Sequence, residues 1–291
     1  MIIAYQGVPG AYSEKAARAL FPGCATLPCD TFDAVFEAVE KKRAARGVIP
    51  VENSLAGSIH QNYDLLVQHA LRVTAETYVR VQHALLALPG TKLSAVRAVR
   101  SHPQALAQCS DFFAAHPGIQ AVTWYDTAGA ARSLVEDAGG SAATLKTLAA
   151  IASEAAAEIY GLKILKRTLQ NRAHNYTRFL AIARSGARLS VAETSAPKVA
   201  GLKTSLTFIP ARNRPGVLHA VTGLFAAQGI DLTKVESRPD PENPFDYRFY
   251  LDATGGAQEP DLKKVLVELK KFTRDLRVLG SYPLAALPRT R

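Results

Sequence analysis

Apolar positions along residues 1–184 follow two periods in turn. Short continuous or alternating apolar runs fall at 2–5, 47–51, 73–79, 83–88, 96–100, 121–125, 149–152 and 177–183, and read as strands. Between them, apolar residues recur at three- and four-residue spacing near 13–20, 31–43, 61–69, 103–115, 127–137 and 153–160, the mark of amphipathic helices. This rhythm predicts layered α/β structure with substantially parallel sheets. Arg72–Leu88 reads as extended throughout, a crossing from one lobe to another. Ser185–Leu202, with Gly186, Pro197 and Gly201 among scattered Ser and Thr, breaks the rhythm and reads as a linker.

A compact unit follows. Thr204–Ile209 alternates like a strand, Pro215–Ala227 is helical, and Asp231–Ser237 and Tyr247–Ala253 are further strands. Asp261–Thr273 is a second helix and Arg277–Tyr282 a last strand, which together make a ferredoxin-like βαββαβ plan. Pro260 near a helix start and Gly229 just past a helix end are the expected punctuation.

Composition narrows the classes. The 291 residues are 48% hydrophobic and 21% charged, ordinary for a globular chain of about two domains. No apolar run approaches the ~18 residues of a membrane helix. Met1–Tyr5 reads as a strand and not as an export signal, and three cysteines without a C-x-x-C pair suit a reducing, cytoplasmic setting. The net charge of +10 suggests nucleic acid, but the excess is spread over both parts of the chain. A mild positive field that attracts a small anion fits as well, and neither nucleic acid nor membrane is expected as a partner.

Metal and nucleotide chemistry find little support. No two of the seven histidines form H-x-x-x-H or H-E-x-x-H, and Gly7-Val8-Pro9-Gly10 lacks the G-K-[ST] ending of a phosphate loop. No metal and no cofactor are expected. Cys24 and Cys29 bracket a short strand and read as small core residues. Polar residues just after strands are more telling, because α/β sheets bind ligands there. Ser13 and Glu14, Asn53 and Ser54, Ser101 to Gln104, Asp126 and Thr127, and Ser153 and Glu154 all occupy such places. Each is explained singly by helix capping, but several converging helix starts would offer N–H groups to an anion. Gln104 and Gln108 share one helix face.

Taken together, the segments Gly7–Ser13, Pro50–Gly57, Ser101–Cys109, Asp126–Ala131, Ala149–Ser153 and Thr177-Arg178-Phe179 resemble the prephenate dehydratase family, which includes the arogenate dehydratases. Glu236-Ser237-Arg238-Pro239 resembles the motif of that family's regulatory ACT domain. The resemblance covers about residues 2–284. Val8, Ala11 and Tyr12 depart from the commoner G-P-x-G-T-F-S and resemble the arogenate-type variant, and Gly139–Thr147 is less typical.

The resemblance implies a two-lobed catalytic region like type II periplasmic binding proteins over 1–184, with lobe one about 1–78 plus 173–184 and lobe two about 79–172. A linker over 185–202 and an ACT domain over 203–284 would follow. It implies cofactor-free loss of CO₂ and water from prephenate, with Thr177 as proton or hydrogen-bond donor and Asn53, Ser101 and Gln108 orienting the substrate. Arg178 is a candidate carboxylate contact, although strand alternation can turn it away from Thr177. Ser13, Ser54, Thr127 and Phe179 complete the expected substrate-binding set. L-phenylalanine is the implied effector, held by Gly216, Val217, Leu218 and Glu236, Ser237, Arg238, Pro239 at a paired ACT interface, so a homodimer or homotetramer is expected. Two other readings stand beside this one: the same chemistry on arogenate, and a non-catalytic two-lobe sensor.

Overall fold

In the computed structural model, residues 1–136, 146–186, 198–240, 243 and 246–286 are described. Most of the expected linker and of the Gly139–Thr147 stretch lie outside them. The first sheet runs β2 (Ala25–Cys29), β1 (Ile2–Gln6), β3 (Arg46–Asn53), β11 (Tyr176–Arg184), β5 (Leu71–Arg80), with the short β4 (Gly57–Ser58) beside β3. β1 is parallel to β2 and β3, whereas β11 is antiparallel to both its neighbours. Ile3, Ala4 and Tyr5 are fully buried, as a central strand covered on both faces demands. Helices α1 (Tyr12–Leu20) and α2 (Phe32–Glu40) provide cover, and Thr31 caps α2 by accepting the Ala34 N–H at 3.1 Å. α3 (His60–Gln68) completes this lobe.

The second sheet runs β10 (Lys163–Lys166), β6 (Ala84–Ala87), β9 (Leu148–Ala152), β7 (Ala98–Ser101), β8 (Gln120–Thr123). Helices α4 (Pro103–Gln108), α5 (Ser110–Ala115), α6 (Thr127–Glu136) and α7 (Glu154–Tyr160) flank it. The apolar pattern read 103–115 as one helix, but Cys109 breaks it into α4 and α5 with its backbone at φ −115°. β2, β4 and β10 fell outside the runs taken as main strands, because their residues are mostly exposed or half-buried and carry little periodic signal. The chain crosses between lobes twice, between β5 and β6 and before β11. The crossings are tied together by Val81 N–H donating to the Asn175 carbonyl at 2.8 Å.

The C-terminal unit is β12 (Lys198–Pro210), α8 (Val217–Ala226), β13 (Leu232–Pro239), β14 (Tyr247–Thr254), α9 (Pro260–Leu269) and β15 (Thr273–Ala285), in sheet order β13-β14-β12-β15. β12 begins well before the Thr204 expected from alternation. The helices cover one face of this sheet over Leu206, Phe208, Val221, Phe225, Leu251 and Leu262. The other face docks on lobe one, where Tyr250, Leu279 and Tyr282 share a core with Val73, Leu71 and Tyr63. β15 lies so close to β5 that a side chain at Gly280 would strike the Val73 backbone. No described helix is long and apolar enough to cross a membrane.

Candidate active site

β3 and β11 run side by side and put Asn53 opposite Thr177 in register. Both are nearly buried at the mouth between the lobes. The turn after β3 sets the polarity of everything around them. Leu55 and Ala56 N–H groups, which can only donate, each reach Asn53 Oδ1 at 3.0 Å. The Asn53 amide nitrogen must therefore face the other way, where it donates to Asn175 Oδ1 at 2.8 Å and Thr177 Oγ at 3.1 Å. Asn175, with its oxygen so engaged, donates through Nδ2 to Gln108 Oε1 at 2.8 Å. Gln108 Oε1 also lies 3.0 Å from His83 Nε2, which must carry the proton.

Two consequences follow from this chain of donors. Thr177 Oγ is already an acceptor, so its own proton is free to be given to a bound group. Gln108 has its oxygen occupied twice, so its amide N–H groups are the part left to donate. Tyr12, Asn53, Val81, His83, His102, Gln104, Ala105, Gln108, Thr127 and Thr177 enclose a cavity of about 100 Å³. No lining residue is acidic. Burial holds the His83 pKa below its ordinary 6.5 although Gln108 favours the charged form, and burial lowers that of His102 against the pull of Asp126. Burial likewise raises the Tyr12 pKa, and its hydroxyl donates to the Gln82 carbonyl at 2.5 Å. At neutral pH the cavity is lined by uncharged donors, a surface suited to an anion brought out of water. Larger grooves of about 360 and 750 Å³ run along the seam between lobe one and the C-terminal unit, away from this donor set.

The lobes meet across the mouth. Ser153 caps α7 by accepting the Ala156 N–H at 3.1 Å, and its hydroxyl donates to the Gly10 carbonyl at 2.8 Å. The Tyr160 hydroxyl donates to the Pro9 carbonyl at 2.8 Å. Gly10, at φ +89°, sits so close that a Cβ there would lie 2.9 Å from Ala156 Cα.

Of the residues expected from the sequence, the structure brings Asn53, Gln108, Thr127 and Thr177 to one cavity and adds Gln104 from the same helix face as Gln108. It places others elsewhere. Ser101 is fully buried beneath the cleft, with its hydroxyl given to the Ile151 carbonyl at 2.6 Å. Ser13 is buried in the first turn of α1, and Ser54 accepts the Tyr176 N–H at 3.0 Å, so neither lines the cavity. The α1 start is closed to an anion because the Glu14 carboxylate accepts the Gly10 N–H at 2.7 Å. Phe179 is a core residue packed with Ile3, Leu20 and Val48. Arg178 is turned by strand alternation to the opposite face, where it pairs with Glu76 and Asp252, and it is no substrate contact.

In the C-terminal unit, Gly216 caps α8 at φ +81° with Val217 half-buried and Leu218 exposed. Ser237 and Pro239 are exposed on β13. Glu236 and Arg238 are committed elsewhere: Glu236 accepts from Ser58 Oγ at 2.7 Å and pairs with His60 at 2.9 Å, and Arg238 pairs with Asp64 at 2.8 Å. The sequence pattern does not single out His83, Asn175 or Tyr12 for the cleft, whereas His102 lies in the Ser101–Gln104 stretch that it marks as a ligand-binding position. Asn175 stands two residues before the Thr177-Arg178-Phe179 triplet, in the same run of polar residues leading into the strand, and that position was the available signal.

Two sheets that meet at a polar, uncharged cleft, followed by a βαββαβ unit, define a two-lobed α/β enzyme scaffold with an ACT domain. The prephenate dehydratase family model matches residues 3–187 and the ACT domain model matches 206–271. An Arabidopsis thaliana relative named arogenate dehydratase/prephenate dehydratase 6, chloroplastic, is 43% identical over 98% of this chain and 70% of its own. The prephenate dehydratase of Arthrobacter aurescens, solved with L-Phe, superposes with a TM-score of 0.85 at 27% identity, over 99% of this chain and 92% of its own. GqqA, described as a quorum quenching acylase, superposes with a TM-score of 0.84 at 36% identity over 98% of both chains. The chain belongs to the prephenate dehydratase family, a family of lyases.

Proposed function

We propose that the protein converts prephenate to phenylpyruvate by coupled decarboxylation and dehydration, and that L-phenylalanine bound to the ACT unit regulates it. The observation that carries this reading is Thr177: its oxygen accepts from Asn53, so its proton is directed to a bound group in a cavity without carboxylates. In the reaction, the bond from the ring to its carboxylate breaks and the carboxylate leaves as CO₂. The electron pair enters the ring, and the ring C–O bond breaks as the departing oxygen takes up a proton to leave as water. Thr177 donates to that oxygen as charge develops on it, which stabilises the transition state more than the ground state. A threonine hydroxyl is a weak acid, so its part is hydrogen-bond donation beside the polarised Asn53–Asn175–Gln108 chain, and the proton that completes the departing water comes from solvent. Gln104, Gln108 and Thr127 supply neutral donors to the carboxylates.

Gly10 and Pro9 of lobe one and Ser153 and Tyr160 of lobe two hold the lobes together beside this cavity. For the effector, Gly216, Val217, Leu218, Ser237 and Pro239 form the ligand-facing set, a ligand at a helix N-terminus being favoured when it brings a carboxylate. Pairing of two ACT units and a cytoplasmic location belong to the same proposal. The deciding assay gives purified protein prephenate, arogenate and an acylase substrate in parallel. Faster formation of phenylpyruvate from prephenate is expected. Higher kcat/KM on arogenate would assign the chemistry to that amine instead, and acyl hydrolysis without either dehydration would overturn the reading.

A further inference from the structure

The face of β11 opposite Thr177 carries a second buried polar cluster that the proposed chemistry does not use. Arg178 Nε donates to Glu76 Oε2 at 2.8 Å, Nη1 to Asp252 Oδ2 at 2.5 Å, and Nη2 to the Tyr282 hydroxyl at 3.0 Å. Tyr282 lies 2.6 Å from Ser205 Oγ, which donates to the other Asp252 oxygen at 2.5 Å. Lys203 Nζ meets Glu76 at 2.9 Å. Arg178 and Glu76 belong to the catalytic sheet, and Asp252, Tyr282, Ser205 and Lys203 to the ACT sheet. Two cations face two anions, none with a side chain more than 6% exposed, and Nε, Nη1 and Nη2 of the planar Arg178 fork each have a partner.

The geometry points to Arg178 as a positioning residue for Thr177, held from the ACT sheet through Asp252 and Tyr282. A backbone clamped at Arg178 cannot slide or twist at Thr177, one residue away, without breaking the ion pairs to Glu76 and Asp252 and the hydrogen bond to Tyr282. The ACT sheet is thereby part of the framework of the active site, and any ligand that shifts it acts on the donor hydroxyl through this strand. This inference rests on the dehydratase reading for its activity measurement only.

The charge balance supplies a clean test. Arg178→Met alone strands Asp252, but Arg178→Met with Asp252→Asn removes one charge of each sign and leaves the Glu76–Lys203 pair intact. The double variant is expected to melt close to wild type while kcat on prephenate falls roughly tenfold to a hundredfold with KM little changed, the scale of a misplaced reacting group. Tyr282→Phe, a milder change, is expected to lower kcat about fivefold, the scale of one hydrogen bond. A stabilising contact without a positioning role would return full kcat once stability is restored. Full kcat in both variants therefore overturns the proposal. Amide hydrogen exchange across residues 176–178 gives a readout independent of turnover: faster exchange in both variants is expected, and unchanged exchange overturns the proposal even if wild type proves inactive on prephenate. That last result, inactive wild type, counts against the dehydratase reading alone.

Discussion

Strand β11 separates two buried polar networks built on different principles. On the cleft side, Asn53, Asn175, Gln108, His83 and Thr177 are all uncharged; donation runs from the Leu55 and Ala56 amides through Asn53 and Asn175 to Gln108 Oε1, which also accepts from His83. That chain ends with donors to spare. On the ACT side, Arg178, Glu76, Asp252 and Lys203 pair cation with anion and satisfy one another. Burial disfavours the Asp252 charge, but Arg178, Ser205 and Lys203 outweigh it and keep the carboxyl below its ordinary range. Arg178, although burial opposes its charge too, is kept protonated by Asp252, Tyr282 and Glu76. A closed network holds parts together; an open one is ready for a ligand. The alternation of a single strand produces both from adjacent residues.

Breaking the charged side should have the largest effect. Arg178→Met leaves Asp252 buried beside too little positive charge and is expected to cost about 3–5 kcal/mol, seen as a fall in the urea midpoint. On the open side, Thr177→Ala should leave the fold intact and lower kcat by roughly 10²-fold or more with KM little changed, measured as phenylpyruvate formation. Near-normal turnover there would remove Thr177 from the chemistry. Asn175→Ala strips partners from Asn53 and Gln108 together, and about 1–3 kcal/mol of stability should go with it, along with a smaller loss of kcat than at Thr177.

Acid should separate the two networks by the pH at which each weakens. His83 has a depressed pKa, so the stability of its neutral form is complete above pH 6.5 and is lost as pH falls through the depressed value. Among the described residues its buried Nδ1 has no hydrogen-bond partner, so a proton added there would find no acceptor. Asp252 contributes above its ordinary 3.8 and loses its contribution only as pH falls through a value lower still. Activity should therefore decline in mild acid before the junction opens, and tryptophan or tyrosine fluorescence beside a kcat profile would show whether the order is reversed.

The strand-and-helix rhythm marked both lobes and the βαββαβ unit because their central strands are buried on one or both faces, as Ile3-Ala4-Tyr5 shows. Residues of the open network were partly legible: Thr177, Asn53 and Gln108 sit in recognisable segments, and the Gln104–Gln108 spacing places both on one face. Asn175 and His83 were not, because their roles depend on which atoms meet across 67 and 25 residues of chain. Of the charged network only the alternation that can turn Arg178 away was legible. An arginine beside Thr177 looks like a substrate ligand until the partner sheet that receives it is in place, and nothing local to Glu76 or Asp252 announces that they converge. Ser101 shows the opposite error, a polar strand end whose hydroxyl is spent on a neighbouring carbonyl.

The placement of β11 also governs how the polypeptide can assemble. It inserts between β3 and β5, which precede it by more than ninety residues, so the first sheet has an open slot until the chain beyond Asn175 is available. Lobe two lies wholly within that interval and can close over local contacts first, whereas lobe one waits on a non-local pairing whose loop-closure entropy slows it. During that wait β3 and β5 each present an unpaired edge, the kind of surface on which nascent chains associate wrongly. The strand that ends the wait brings Thr177 with it, so this hydroxyl reaches the cleft only when the first sheet is complete.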